Sequence, residues 1–306
     1  MSQVPDSQKL FGAMIYLLAD RTGKSAATGF LGKIKAQEID FALSSVLPKG
    51  FLPTPKAYLL RESQRGADAN KEKAAYENIK EFDYLSEAQI KELVHNPKKL
   101  YGEIICDTID HIHLETNQQV HVNTLNQNGG DNLIFSVQQT VCAHGDEAIK
   151  EFEFFLRTDD HVIPNLLEEQ LHHVFHLGKR SSQGYNLFEL TGFVPITVKT
   201  PVNSKHSFLN LGMLLPGQIE YNAPTALTLF SSERRPYAGK ETGWIKAENC
   251  GHFISFIAPG SVIVLPQAKG SWEERLQKVG KSIDAPTASE GEIVFGNAFL
   301  YPLEVK

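Results

Sequence analysis

The sequence predicts an α+β fold, in which many short strands form sheets and a few separate helices pack against them. The chain has 306 residues, of which 42% are hydrophobic and 22% are charged, so one large globular domain or two medium ones are expected. Runs of β-branched and aromatic residues recur along the chain, whereas few segments have helical periodicity. These strands do not alternate regularly with helices, which argues against a repeated βαβ arrangement.

A helix is predicted at the start of the chain. Large apolar residues recur at helical spacing from Leu10 to Leu18, and Ser7 is the candidate N-cap. The next segment, Gly23-Lys24-Ser25, looks like the end of a phosphate-binding loop. That loop needs a preceding strand and an earlier glycine, whereas a helix precedes here and Ala19 stands at the glycine position. We therefore reject a nucleoside-triphosphate loop.

Two strands and a charge-rich insertion are expected next. The strands cover residues 39–47 and 57–60, where apolar residues dominate. The insertion covers about 61–99, and its first part, 62–75, lacks apolar periodicity, which is typical of a mobile surface loop. Helical periodicity then returns, and Ser86 is the candidate N-cap of a second helix.

Residues 111–123 are predicted to form a hairpin with its turn at residues 116–119. Alternation would place apolar side chains such as Ile112 and Leu114 inward and three imidazoles on the opposite face, with Glu115 and Asn123 beside them. The three imidazoles are those of His111, His113 and His121. Such a face could bind zinc, act as acid and base in RNA cleavage, or simply face solvent or RNA, and the last interpretation is favoured.

Further strands and two further helices are predicted along the chain. The strands cover residues 102–106, 133–141, 151–157, 193–198, 208–215, 226–232, 252–257, 261–265 and 293–303. One helix would run from Asn165 to the C-terminal glycine Gly178, and a shorter one would cover 272–279. The first would carry His172, His173 and His176 beside its buried stripe. Two interpretations of these histidines are equally good: a metal site, or protonated imidazoles that interact favourably with the dipole at the C-terminal end of the helix.

Several classes of protein are excluded by composition. No apolar run approaches the length of a membrane span, and the first residues lack the pattern of a secretory signal. The three cysteines, Cys106, Cys142 and Cys250, are too far apart for a Cys-x-x-Cys zinc site and fit a reducing cytoplasm. The net charge is −6, so a nucleic-acid surface, if present, must be local. We expect a cytoplasmic protein without metal or cofactor.

One local surface of this kind is predicted between residues 170 and 219. The only acid in that stretch is Glu189, against four lysines and arginines. Within it, Leu177-Gly-Lys-Arg-Ser-Ser-Gln-Gly-Tyr-Asn-Leu-Phe combines cations, hydroxyls, two glycines and an aromatic ring. Glycines let backbone amides approach a phosphate, cations neutralise it, and Tyr185 offers a stacking face. An ordinary decorated turn is the alternative. A second patch of the same chemistry contains Arg234, Arg235, Tyr237 and Lys240.

The order of these motifs resembles that of the RAMP superfamily of CRISPR effector subunits, in particular its Cas-five group and the Csm-four type of type III complexes. The resemblance covers most of the chain. It rests on Ser7-Gln-Lys-Leu-Phe-Gly-Ala, Leu43-Ser-Ser-Val-Leu-Pro, Phe51-Leu-Pro-Thr-Pro-Lys, Asn78-Ile-Lys-Glu-Phe-Asp-Tyr-Leu-Ser, the glycine-rich segment 177–188, the Arg-containing stretch 233–244, Gly260-Ser261 and Gly296-Asn-Ala-Phe.

The resemblance implies two ferredoxin-like (RRM-like) domains, at residues 1–198 and 199–306, with loop insertions and with a glycine-rich loop at 178–185 in the first. It implies a non-catalytic subunit that binds the 5′ repeat-derived handle of the crRNA and caps the antiviral ribonucleoprotein, beside a Cas-seven-like backbone subunit and a large signature or nuclease subunit. The implied RNA contacts are Lys179, Arg180, Ser181, Ser182, Gly184 and Tyr185, with Ser44, Ser45 and Lys56 near that surface and Arg234, Arg235 and Tyr237 in the second patch.

Two alternatives stay open at this point. About six residues precede the first helix where the family has a strand, so either the first sheet lacks an edge strand or a neighbouring chain completes it. Some relatives in the group are metal-independent endoribonucleases that process pre-crRNA. That activity would need a base near the handle, for which His111, His113, His121 and His176 are candidates, with Lys179 as a charge stabiliser.

Overall fold

The structure is a computed structural model that describes residues 4–102, 108–123, 133–178, 185–197, 207–234, 252–267, 270–285 and 293–305. Within these ranges it is an α+β protein, as predicted, with seven α-helices and eighteen short strands. No helix in these ranges combines the length and the apolarity that crossing a bilayer requires.

The helices are α1 (Ser7–Thr22), α2 (Lys24–Ala36), α3 (Lys56–Gln64), α4 (Ala69–Glu81), α5 (Glu87–His95), α6 (Val162–Glu168) and α7 (Trp272–Gln277), with a 3₁₀ helix at Pro97–Tyr101. The strands are β1 (Phe41–Leu43), β2 (Leu47–Pro48), β3 (Phe51–Pro53), β4 (Tyr84–Ser86), β5 (His111–Asn123), β6 (Leu133–His144), β7 (Glu147–Ala148), β8 (Phe152–Glu153), β9 (Leu156–Thr158), β10 (Val174–His176), β11 (Leu187–Glu189), β12 (Ser207–Asn210), β13 (Leu229–Arg234), β14 (His252–Ile257), β15 (Val262–Val264), β16 (Ile283–Asp284), β17 (Ile293–Val294) and β18 (Leu300–Pro302).

The N-terminal helix forms as predicted, but its cap is one residue earlier. The Asp6 side chain accepts a hydrogen bond from the Lys9 backbone amide, which fixes the first turn. Ser7 is fully buried instead, and its hydroxyl accepts a hydrogen bond from the Met213 amide at 2.9 Å. The prediction missed α2, which follows at once because Gly23 turns the chain with a φ of 89°.

The segment between α2 and β5 is more helical than predicted. The expected strand at 57–60 is wrong, because those residues lie in α3, where Tyr58, Leu59 and Ser63 are buried on one side. The expected mobile loop at 62–75 is also wrong. Asp68 caps α4 through the Lys71 amide, and the helix buries Ala75, so a short apolar face suffices to anchor it. Ser86 caps α5 with a full capping box, as predicted.

A long two-stranded ribbon is the most extended feature of the described fold. Strands β3, β4, β5, β6 and β7 form one sheet in that order, but β4 pairs only with the first two residues of β5. Eleven residue pairs join β5 to β6, from His113↔Ala143 to Asn123↔Leu133. About nine residues of each strand therefore pair only with each other, over roughly 30 Å. We call this segment, residues 115–123 and 133–141, the ribbon.

The predicted turn at residues 116–119 is wrong, since those residues lie inside β5. They contain Thr, Asn and Gln but neither Gly nor Pro, so nothing in them forces a reversal. The chain instead reverses between Asn123 and Leu133. The residues of that connection, 124–132, lie outside the described residues, and so does most of the strand predicted at 102–106.

The C-terminal part contributes a separate small sheet. Strands β15, β12 and β18 form it in that order, and β13 pairs with β14 over six residues. The predicted strand 252–257 and the core of the predicted strand 261–265 are confirmed, and α7 covers most of the predicted helix 272–279. The strand predicted at 193–198 is wrong for its described residues, 193–197, which are irregular and exposed.

Residues of the N-terminal and C-terminal parts of the chain pack together in the same hydrophobic clusters. One cluster packs α3, α4 and α5 against C-terminal residues such as Leu209 and Phe299. Another packs α1, α2 and β1 around Phe295, whose ring stacks on that of Phe11 at 4.1 Å between centroids. Residues far apart in sequence thereby fix the frame that carries the glycine-rich loop.

Candidate nucleic-acid interface

The glycine-rich loop is held at the tip of a short hairpin. Its stem pairs β10 with β11, through Val174↔Glu189, Phe175↔Phe188 and His176↔Leu187. The two phenylalanines of the middle pair pack against the cluster around α1, which anchors the stem. The predicted helix from Asn165 to Gly178 is therefore wrong beyond its first turn, because α6 ends at Glu168. The β-branched and aromatic pair Val174-Phe175 favours the strand.

The base of the loop is pinched by two residues of left-handed backbone. Gly178 has a φ of 128° and Asn186 a φ of 57°, while the Leu177 amide donates to the Asn186 carbonyl at 3.0 Å. A Cβ at position 178 would meet the Asn186 amide nitrogen at 3.3 Å, so both conformation and space favour glycine. The predicted contacts Lys179, Arg180, Ser181, Ser182 and Gly184 lie outside the described residues.

The last residue of the loop touches the ribbon. The Gln139 side-chain amide on β6 donates a hydrogen bond to the Tyr185 hydroxyl at 2.6 Å. Both side chains are half-buried. Sequence reasoning missed Gln139, although the paired amides Gln138-Gln139 inside an apolar strand were a signal that this part of β6 meets something polar. Tyr185 therefore contacts the ribbon.

The lone acid of the carboxylate-poor stretch is already paired. Glu189 on β11 contacts the Nδ1 of His172 at 3.2 Å, across the foot of the stem. His172 has a φ of 62°, so it ends the helical turn rather than continuing a helix, and His176 lies on β10. The predicted row of three histidines on one helix face is therefore absent from the described structure.

Two of the three histidines of the predicted face, His111 and His113, lie near each other, but on one long strand instead of a hairpin. His111 and His113 alternate along β5 with their rings 6.3 Å apart, and His113 contacts Glu115 at 3.0 Å. His111 packs against the Phe82 ring at 4.8 Å and contacts the Ile109 carbonyl, which are structural contacts. The side chain of His121 lies outside the described residues.

The predicted apolar face of the same segment is only half right. Ile112 is fully buried, as expected, but Leu114 is 37% exposed. Burial raises the pKa of the neighbouring Cys142 thiol to about 11, so that thiol stays protonated at neutral pH. No group of three metal-ligating side chains is found in the part of the chain that the structure describes.

Ser44 and Ser45 lie in the interior. Ser44 is fully buried; its hydroxyl donates to the Ser45 carbonyl at 2.7 Å and accepts from the Phe155 amide at 2.8 Å. Ser45 is 7% exposed, and its hydroxyl has no hydrogen-bond partner among the described residues. Their place in the structure is the junction between the N-terminal and C-terminal strands, since the Ser45 amide donates to the Leu211 carbonyl.

Lys56 is engaged in the fold. Its ammonium group contacts the Asp83 carboxylate at 2.7 Å and the Lys80 carbonyl at 3.0 Å, which ties α3 to the start of β4. Asp83 also accepts a hydrogen bond from the Leu114 amide on β5. In the second patch, Arg234 ends β13, its side chain lies outside the described residues, and so do Arg235 and Tyr237.

The fold and the site together define an α+β protein in which a hairpin stem, closed by the Leu177–Asn186 hydrogen bond, contacts a long ribbon through Tyr185. Comparison with solved structures gives this fold a counterpart over the full length. A chain of the Csm1–Csm4 cassette in complex with cA4 matches with a TM-score of 0.53 and 13% identity, over 100% of this chain and 94% of that one. A chain of the Csm3–Csm4 subcomplex of a type III-A CRISPR-Cas interference complex matches with a TM-score of 0.54 and 15% identity, over 98% and 94%.

Csm4 is the component that these two assemblies have in common, and its fold is the one found here. The expected resemblance to the Csm-four type of RAMP subunit is thereby confirmed at the level of fold. No family model matches the chain. No curated protein matches its sequence either.

Proposed function

We propose that this chain is a non-catalytic subunit of a type III CRISPR effector complex that binds the 5′ repeat-derived handle of the crRNA and caps the complex for antiviral defence. The observation that carries the proposal is the full-length Csm4 fold, at TM-scores of 0.53 and 0.54. The described site adds a paired stem beneath the glycine-rich segment and, at the end of that segment, a tyrosine ring that contacts Gln139.

The handle is bound by the loop through backbone phosphates and stacked bases. Lys179 and Arg180 neutralise phosphates, Ser181, Ser182 and the amide of Gly184 donate short hydrogen bonds, and Tyr185 stacks a base. This stretch of the chain favours an anion, because Glu189 is the only acid between residues 170 and 219 and His172 already contacts it. Arg234, Arg235 and Tyr237 form a second, smaller contact. Ser44 and Ser45 are buried and Lys56 contacts Asp83, so the proposal does not depend on these three residues.

The same proposal includes the domain organisation and the partners. Two ferredoxin-like domains, at residues 1–198 and 199–306, agree with the C-terminal part having its own three-stranded sheet and the helix α7. A Csm3-like, Cas-seven-like backbone subunit and a Csm1-like large subunit are the proposed partners, because the similar structures pair Csm4 with Csm3 and with Csm1.

A salt titration of handle binding tests the function. In filter binding with labelled handle RNA, R180A is expected to weaken binding and to reduce the slope of log affinity against log salt by about 0.7 for each phosphate that the variant no longer neutralises. R21A is the matched control, because Arg21 is an exposed arginine in the last turn of α1. Equal slopes for R180A and the unmodified protein would contradict the proposal.

A metal-independent endoribonuclease is the second candidate. The observation that favours it is the imidazole–carboxylate contact between His113 and Glu115 at 3.0 Å, on the ribbon side of the sheet. Incubation of the purified protein with pre-crRNA in EDTA separates the two functions. Cleavage that H113A abolishes would establish the nuclease, whereas intact RNA that stays bound fits the cap subunit.

A further inference from the structure

We propose that Gln139 is a positioning residue for the RNA site: its side-chain amide, anchored on the ribbon, holds the Tyr185 ring in the orientation in which a handle base stacks on it. This inference rests on the proposed function, because it deepens the role of the same loop. It names a residue of a different element, 46 positions away in sequence, that neither the glycine-rich motif nor its flanking strands contain.

The contact itself is a short neutral hydrogen bond. The Gln139 nitrogen lies 2.6 Å from the Tyr185 oxygen, slightly closer than the usual range of about 2.7–3.2 Å for N–H···O hydrogen bonds. Tyrosine has two side-chain torsions, so fixing its hydroxyl as well as its backbone leaves the ring little freedom. Both side chains are half-buried, which reduces the competition from water for this hydrogen bond.

The ribbon is a suitable anchor for that contact. Gln139 lies directly opposite Asn117 in a run of eleven cross-strand pairs, so the position of its backbone is set by the sheet. The Leu177–Asn186 hydrogen bond at the top of the stem fixes the residue that follows Tyr185. Tyr185 is thus held by the ribbon through its hydroxyl and by the stem through its neighbour Asn186.

A held ring binds a base more tightly than a free one. A mobile tyrosine loses rotational freedom when a base stacks on it, and that loss weakens binding. A ring that is already oriented has lost this freedom beforehand. Removing the Gln139 donor should therefore reduce the handle affinity without removing any group that touches RNA.

Fluorine NMR tests the positioning without RNA. The protein is labelled with 3-fluorotyrosine, and the Tyr185 signal among the nine tyrosines is assigned by its disappearance in Y185F. In Q139M, which keeps the length of the side chain and removes the donor, that signal should shift and narrow toward the position of an unrestrained tyrosine. N117A is the matched control, because Asn117 is the amide residue opposite Gln139, and its substitution should leave the signal in place. An unchanged signal in Q139M overturns the proposal.

Handle binding tests the consequence. Q139M and Y185F should each weaken binding about 3- to 10-fold, the effect of removing one neutral hydrogen bond, and the double variant should be no weaker than either single one. Y185A should weaken it about 10- to 100-fold, since it also removes the stacking face. Additive effects, or a Q139M affinity equal to that of the unmodified protein while Y185A binds more weakly, would overturn the positioning role. If Y185A itself binds normally, the proposed RNA site is wrong, and the NMR result still decides whether Gln139 holds the ring.

Discussion

The adjacent serines Ser44 and Ser45 are both buried, and substituting each in turn tests this placement. Ser44 makes two hydrogen bonds in the core, to the Ser45 carbonyl at 2.7 Å and from the Phe155 amide at 2.8 Å. Ser45 is nearly as buried, but its hydroxyl has no partner among the described residues. Two neighbouring hydroxyls of the same size therefore have opposite energetic roles.

The expected magnitudes follow from these contacts. S44A removes two hydrogen bonds worth about 1 kcal/mol each and leaves the Phe155 amide without its side-chain acceptor, so it should destabilise the fold by about 2–3 kcal/mol. For a domain of 150–250 residues this corresponds to a fall in Tm of about 4–12 °C. S45A removes a buried hydroxyl that gains no bond, so it should be neutral or slightly stabilising.

Thermal and chemical unfolding of the two variants, followed by handle binding at 20 °C, would decide the matter. S44A should decrease the stability strongly and S45A little or not at all, and both folded variants should keep the RNA affinity of the unmodified protein. A loss of stability in S45A equal to that in S44A would contradict the different roles of the two hydroxyls. Weaker handle binding by S44A without any decrease in stability would contradict the burial of Ser44, because its hydroxyl would then face RNA.

Three further outcomes are expected. G212A should destabilise the fold by about 1–3 kcal/mol, because a Cβ at that position would lie 2.5 Å from the Leu43 carbonyl oxygen. G29A should stabilise the fold by about 0.5–1 kcal/mol, because Gly29 lies in α2 with open space around it. Urea unfolding of the two variants measures both effects. In a C106S/C250S variant, Cys142 should react with a thiol reagent at pH 8 far more slowly than free cysteine, since its pKa is raised to about 11 and protonation is nearly complete; labelling at the rate of free cysteine would contradict its burial. If the chain is a cap rather than a nuclease, the unmodified protein and H113A should both leave pre-crRNA intact and should bind the handle with affinities within about 2-fold of each other; cleavage by the unmodified protein that H113A loses would contradict that.

The parts of the fold that the sequence predicted well are those with local signals. The capping box at Ser86 set the start of α5, and the alternation of large apolar residues predicted β14 with its observed bounds. The stripe from Leu10 to Leu18 predicted α1, and the cap differed by one residue because Ser7 is used in a distant contact with Met213. Caps and periodicity depend on neighbours in sequence, which a single chain displays.

The parts that failed depend on distant partners. The run at 57–60 is apolar enough for a strand, but it became α3 because one side of a helix there packs against α4 and the 3₁₀ helix. The pair Val174-Phe175 follows a helix in the sequence. It forms a strand instead of continuing that helix because Phe175 pairs with Phe188 across the hairpin. Neither contact can be read from the local sequence pattern, so that pattern could not predict the conformation that the contact favours.

The candidate site shows the same division between composition and contact. Glycines, cations and a tyrosine in ten residues identified the loop from sequence, because those residue types suit phosphate binding wherever they lie. The ribbon begins some 60 residues earlier, and only the β5–β6 register together with the Gln139–Tyr185 contact brings it to Tyr185. If Gln139 acts on the handle only by holding the Tyr185 ring, its substitution should weaken binding only while the Tyr185 hydroxyl is present, and the non-additivity of Q139M with Y185F is the measurement in which that dependence would be visible.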